Sequence, residues 1–140
     1  MEDVSRRIYI TDYDLFRLRR SLPPQHRVND SDRPHLHRLH ELLDTAVVLN
    51  PREIPSHVIT MNSRFRLKNL ETAAESEYTL VFPGKADISR GLISVLAPAG
   101  AALIGAQDLE TVSVLTPAGE KQFEISGILY QPEASEDYHL

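Results

Sequence analysis

The chain has no cysteine and no tryptophan, and only six glycines in 140 residues. Without cysteine it has neither a disulfide framework nor a thiolate metal site, which fits a reducing compartment. The glycines form no GxxxxGK[ST] loop, so a phosphate cradle of the P-loop kind is excluded. No apolar run approaches the roughly 20 residues that a membrane-spanning helix needs, so no membrane contact is expected. The opening MEDVSRRIYI has acids early and no apolar core leading to a small-residue cleavage site. It is therefore not expected to act as a signal peptide, and the cytoplasm is the expected location. A basic excess is missing too. Fifteen Lys+Arg stand against twenty Asp+Glu, for a net charge of −5. Residues 1–50 balance at eight and eight, while residues 51–140 hold seven against twelve and carry the whole deficit. A duplex binder offsets phosphate charge with a basic stripe. With none here, no direct nucleic-acid ligand is expected; a protein partner is the easier reading.

What is present is ordinary for a packed chain: 41% hydrophobic and 25% charged residues. That suits one domain, or a small domain with an appendage. After the apolar entry Ile8 to Ile10, Thr11 and Asp14 have capping-box spacing, with Asp in place of Glu or Gln. Leu15, Leu18 and Leu22 then form one apolar stripe, and Pro23-Pro24 stop the helix at about Ser21. A second helix begins near Ser31–Asp32, either of which can cap it, with Pro34 in its first turn. Its stripe is Leu36, Leu39, Leu43 and Ala46, with Leu42 and Val47 beside it. Two such helices are expected to pack as a short antiparallel hairpin, a coiled coil of on the order of 20 Å.

Beyond NPREIPS the period changes. HVITM, RFRLKNL, EYTLVF, ETVSVLT and KQFEISGILY have strand length and β-rich composition, with Gly127 as a bend in the last. Between them, Pro98 opens a short helix that Gly105 stops. The expected organisation is a helical hairpin at 1–50, a linker at 51–57, a β-rich domain at 58–131 and a loosely held acidic tail at 132–140.

VITMNSR at 58–64, SVLAPAGAALIG at 94–105 and YQPEASEDYHL at 130–140 resemble the Gre-type transcript cleavage factors of bacterial RNA polymerase. The match is closer to a subgroup of nucleoside diphosphate kinase regulators. The resemblance covers about residues 55–140 well and the helices only in outline. It implies an α+β fold whose C-terminal part is FKBP-like, an antiparallel sheet embracing a short helix. It also implies a non-enzymatic factor that binds RNA polymerase at the secondary channel and competes with longer Gre factors. Any effect on nucleoside diphosphate kinase would be indirect. No cofactor is implied, and a monomer is expected.

On this resemblance Ser94, Leu96, Pro98, Ala99 and Gly100 are candidate polymerase-binding residues; Val95, Ala102, Leu103 and Ile104 are most simply core. Asn29, Asp30 and Asp32 are candidate hairpin-tip residues. Tip acids of the cleavage factors help hold a second Mg²⁺, which requires approach to about 2.1 Å. A hairpin of some 20 Å should fall short, and an Asp at a helix start has a sufficient reason to be there as a cap. The stretch HRVNDSDRPHLHRLH (26–40) holds four of the six histidines, yet His35 lies roughly 200° around a helix from His37. Exposed helix-face histidines are therefore expected, with no metal site. Two other functions compete: a transcript cleavage factor proper, and a peptidyl-prolyl isomerase, whose aromatic-walled pocket this chain is poorly supplied to build.

Overall fold

A computed structural model describes residues 8–24, 28–30, 32–116 and 118–137. Strand β1 (Tyr9–Thr11) runs into helix α1 (Asp12–Ser21); α2 (Arg33–Asp44) and β2 (Val47–Leu49) follow. Then come β3 (Arg64–Asn69), β4 (Glu75–Val81), β5 (Leu92–Ser94), α3 (Pro98–Leu103), β6 (Thr111–Thr116) and β7 (Gly119–Tyr130). β1 and β2 pair in parallel as a small sheet; the main sheet has the order β5-β4-β3-β7-β6. The fold is a mixed α+β one.

Helix α1 starts and stops as its residues dictate. Thr11 Oγ1 accepts from the Asp14 N–H at 3.1 Å; acids fill the first turn and Arg19 and Arg20 the last, matching the helix dipole. In α2, Leu36, Leu39 and Leu43 are buried at the expected spacing. Its cap differs from expectation. Asp32 holds the N-cap position but makes no side-chain cap bond; the Asn29 amide oxygen accepts from Asp32 N–H at 2.9 Å instead. Ser31, the other expected cap, lies outside the described residues. The helix also ends earlier than its stripe suggested. Thr45 N–H and Oγ1 both turn back to the Glu41 carbonyl. Val47 and Val48 then leave the helix for β2, in keeping with their β-branched preference for a pleated surface. The main helical neighbour of α2 is α3 rather than α1, which corrects the expectation of two helices packed chiefly on each other.

The main sheet follows the alternation of β3. Phe65 and Leu67 are buried while Arg64 faces solvent, and β4 and β7 flank β3 antiparallel. β7 slips register twice against β3, with Gly127 opposite Arg66 at the irregularity, so the expected bend is a bulge. Two expectations change here. The sheet is not wholly antiparallel, since β5 joins β4 in parallel. HVITM makes no ladder strand: Val58 forms a single bridge to Gln107. Its residues 58–61 are all buried, which defeats a one-sided alternation.

One apolar core joins the two halves of the chain. Ile8, Ile10, Leu18, Leu39 and Leu43 from the first fifty residues pack with Phe65, Leu80, Val95, Leu103 and Ile125. Burial of each such side chain is worth about 1.5–3 kcal/mol before entropy is counted. Gly105 sits at φ +76 where a Cβ would meet Ile8 Cγ2 at 2.1 Å, so this turn accepts the N-terminal segment only as glycine.

The tail is held more firmly than its composition suggests. Gln131 Nε2 donates to the carbonyls of Pro55 and Val58, both at 2.8 Å. Glu133 is buried and accepts from Thr60 Oγ1 at 2.6 Å. Two polar side chains are sunk because they satisfy donors and acceptors that would otherwise be orphaned. Residues 138–140 lie outside the described part.

Candidate partner-binding site

The loop from Ser94 to Gly100 is fixed from both ends. Val95 N–H donates to the Val81 carbonyl at 3.0 Å, extending the β4–β5 pairing by one residue. Ser94 Oγ accepts from Leu96 N–H, and Ser94 O accepts from Ala97 N–H, each at 3.0 Å. Pro98 then occupies the first turn of α3, where its missing N–H costs nothing. Gly100 is a packing requirement: an added Cβ would lie 2.0 Å from Ser94 O.

A residue of α2 completes the loop. His35 Nε2 lies 2.9 Å from the Leu96 carbonyl. A carbonyl only accepts, so Nε2 carries the proton of this bond. The expectation of exposed histidines is thus corrected for His35, which is largely buried against the loop; His37 remains exposed and lies 3.5 Å from Glu41. His26 is outside the described residues. A sequence signal for His35 exists only in hindsight, in its place on the flank of the Leu36–Leu39 stripe.

The five loop candidates separate by exposure. Pro98 is exposed, Ser94, Leu96 and Ala99 are half-buried, and Gly100 is buried. Leu96 and Ala99 pack against the core, so a Leu96→Asp change tests the fold as well as the surface. The loop forms one wall of an apolar groove of about 510 Å³, lined among others by Ile88, Leu92, Pro98, Ala99 and Val114. Ile88 is 70% exposed. The turn that carries it is capped by Asp87, which accepts from Ser89 N–H and Oγ.

The tip candidates do not converge. Asn29 caps α2 through Oδ1 and its carbonyl also receives the Arg33 N–H at 3.1 Å. Asp30 is fully exposed with an oxygen 3.5 Å from Arg33, whereas Asp32 lies 3.9 Å from His35 Nε2. The two acids face different partners. Among the described residues, no group of three or more His, Asp or Glu side chains is placed to hold a metal ion.

The chain's strongest electrostatics lie elsewhere, where α1 meets the tail. Burial pushes the Asp14 carboxyl up to about 6 even though Arg17 lowers it, and the Glu133 carboxylate adds to the rise. Arg17 Nη2 donates to Asp14 Oδ1 at 2.5 Å, and its guanidinium lies between the rings of Tyr13 and Phe82. Thr60 Oγ1, donating to Glu133, has no second proton to give, so Ser63 Oγ donates to Thr60 at 2.9 Å. Tyr130 is pushed up to about 12, chiefly by its hydrogen bond to Asp137. Neither shifted group lines the α3 groove. The groove beside α3 is thus mainly apolar and backed by fixed backbone, and the two shifted groups lie away from it.

The sequence and the fold have known counterparts. The chain belongs to the GreA/GreB family: residues 54–130 match the model described as "Transcription elongation factor, GreA/GreB, C-term". It is 40% identical over 99 residues to the regulator of nucleoside diphosphate kinase of Escherichia coli K12, covering 70% of this chain and 73% of that one. It is 37% identical over 97 residues to the transcription elongation factor GreA of Helicobacter hepaticus, covering 67% of this chain and 60% of the relative. A solved structure, a prokaryotic GreA/GreB elongation factor from Nitrosomonas europaea, superposes with a TM-score of 0.74 at 33% identity. That match covers 89% of this chain and 99% of the other. These relatives carry the names of regulators and elongation factors. No helix among the described residues is long and apolar enough to cross a membrane.

Proposed function

We propose that this chain is a non-enzymatic transcription regulator that binds RNA polymerase at the secondary channel and competes there with Gre-type cleavage factors. The observation that carries this reading is the apolar groove beside α3, built within the family-matched segment and buttressed from α2 by His35. On this reading residues 58–131 form an FKBP-like globular part that docks on the polymerase. Residues 1–50 carry the two short helices, packed on the globular part more than on each other, whose connecting turn points into the channel; 51–57 are the linker and 132–140 the tail. Helix α2 has 12 residues, hence a length of about 18 Å, which supports a probe that stops short of the catalytic Mg²⁺. Asn29, Asp30 and Asp32 then serve the tip as cap and solvated charge. The chain acts as a monomer in the cytoplasm without a nucleic-acid contact of its own, and regulation of nucleoside diphosphate kinase follows indirectly.

The test is a stalled, backtracked RNA polymerase complex. Added alone, the chain should stimulate no RNA cleavage; added with a Gre factor, it should suppress that factor's cleavage in proportion to its concentration. Ile88→Asp and Pro98→Asp should each weaken the suppression about tenfold, the loss typical of a contact residue at an interface centre. Stimulated cleavage by the chain itself would overturn the reading.

A further inference from the structure

A second surface lies on the face of α1 turned from the core. Tyr13 and Phe16 are 48% and 59% exposed there. The Arg17 guanidinium lies 4.0 Å from the Tyr13 ring centroid and 4.4 Å from that of Phe82, and Arg20 lies 5.5 Å from that of Phe16. Phe16, Arg17, Arg20 and Phe82, with Pro83 and Gly84, line an open groove of about 520 Å³ that has no carboxylate in its wall. Aromatic and arginine side chains are the residues most enriched at the energetic centres of protein interfaces. Stacking also holds the guanidinium planes in place before a partner arrives, which lowers the entropy lost on binding.

The charges indicate what kind of partner fits. Asp14 already holds Arg17, and Arg19 pairs with Asp44 at 3.0 Å. Arg20 meets only the Phe16 ring among the described residues, and Lys85 is exposed next to Gly84. A positive charge beside two phenyl faces, on a chain of net charge −5, selects a carboxylate with an apolar neighbour. A nucleic-acid backbone would ask for several unneutralised cations in a row.

We propose that the groove between α1 and the 82–84 turn seats an acidic, apolar-flanked protein segment, with Arg20 pairing its carboxylate and Phe16 and Phe82 covering the adjoining side chain. This rests on the function proposed above and assigns that segment to RNA polymerase, as a second contact beside the α3 groove. The two grooves flank the same 83–88 stretch, so one partner can cover both.

Equilibrium binding of the labelled full chain to core RNA polymerase, at low and high salt, tests it. Arg20→Glu should weaken binding about tenfold and flatten its salt dependence; Phe16→Ala should weaken it about fivefold, and Arg20→Lys should stay within about threefold of wild type. Both side chains are exposed, so urea midpoints should not move; should Arg20→Glu fail to fold, Phe16→Ala decides. If Ile88→Asp weakens binding while Arg20→Glu and Phe16→Ala do not, this second contact is refuted and the polymerase reading stands. If the wild-type chain does not bind polymerase, both fall. A twelve-residue uridine RNA that binds the wild type and is lost from Arg20→Glu would make the groove a nucleic-acid site and overturn the assignment to protein.

Discussion

Two clusters of acidic and nitrogen-bearing side chains occur in this chain, and they are opposites. At the turn before α2, Asp30 and Asp32 stand in or near solvent beside Arg33 and His35. Near the seam between α1 and the tail, Asp14, Arg17, Thr60, Ser63, Gln131 and Glu133 are mostly buried and hydrogen-bonded in three neighbouring groups: Asp14 with Arg17, Thr60 with Ser63 and Glu133, and Gln131 with backbone carbonyls. The first cluster is dense in the sequence and looks like a site; the second is scattered over 120 positions and looks like nothing. Ligand-type residues close in sequence need not share a face, whereas residues far apart can meet wherever burial forces them to satisfy one another. In this chain the conspicuous cluster is largely solvated, while the inconspicuous one ties the start of the tail to residues 55–60.

That contrast can be broken experimentally. The largest effect is expected from Gln131→Ala, which leaves the buried carbonyls of Pro55 and Val58 without a donor. At about 1–3 kcal/mol per orphaned group, two groups should show a loss of about 2–6 kcal/mol in urea unfolding. A loss below about 1 kcal/mol would mean that the tail is not a structural part of the fold.

Next in size is a pH effect with a definite sign. Asp14 rises from an ordinary 3.8 to about 6 in the folded chain, so folding favours its protonated form. Its contribution is fully present below pH 3.8 and is lost as pH climbs through 6, a difference on the order of 3 kcal/mol. Comparing wild type with Asp14→Asn removes the other titrating groups. The wild type should lose stability relative to the variant between pH 4 and pH 7. A flat difference would show that Arg17 fully compensates the buried charge.

The smaller effects lie at the turn. Asn29→Ala removes the side-chain cap of α2 and should cost about 1 kcal/mol in thermal unfolding. Asp30→Asn should change stability by less than about 0.5 kcal/mol, as expected of an exposed ion pair. If Asp30→Asn instead proved as costly as Asn29→Ala, the turn would be an organised site and the contrast with the seam would fail.

Much of this was legible from residue order. The capped start of α1, the proline stop after Ser21, the leucine stripe of α2, the bend at Gly127 and the Pro98-to-Gly105 helix all follow from local chemistry. The family resemblance pointed to the segment that forms the α3 groove and to Ser94 through Gly100. What was not legible shares a cause. Asp32 lost its capping role to Asn29, His35 turned inward onto Leu96, Ile88 came to line the groove, and residues 131–133 at the start of the polar tail were buried. Each depends on a neighbour 30 or more positions away or on the path of a turn, and periodicity carries no information about either.

The sequence by itself determined where α1 starts and stops, which helix faces are apolar, and that no P-loop, disulfide or thiolate metal site is available. These are local consequences of backbone sterics and side-chain period. Only the tertiary structure decided which polar groups are buried, because their partners come from the opposite end of the chain. It placed Glu133 beside Asp14, set His35 against the loop before α3, and left Phe16 and Arg20 facing outward. Burial makes an unpaired polar group costly, so a long-range partner such as Thr60, and not the residue type, makes Glu133 structural while Asp30 stays in solvent.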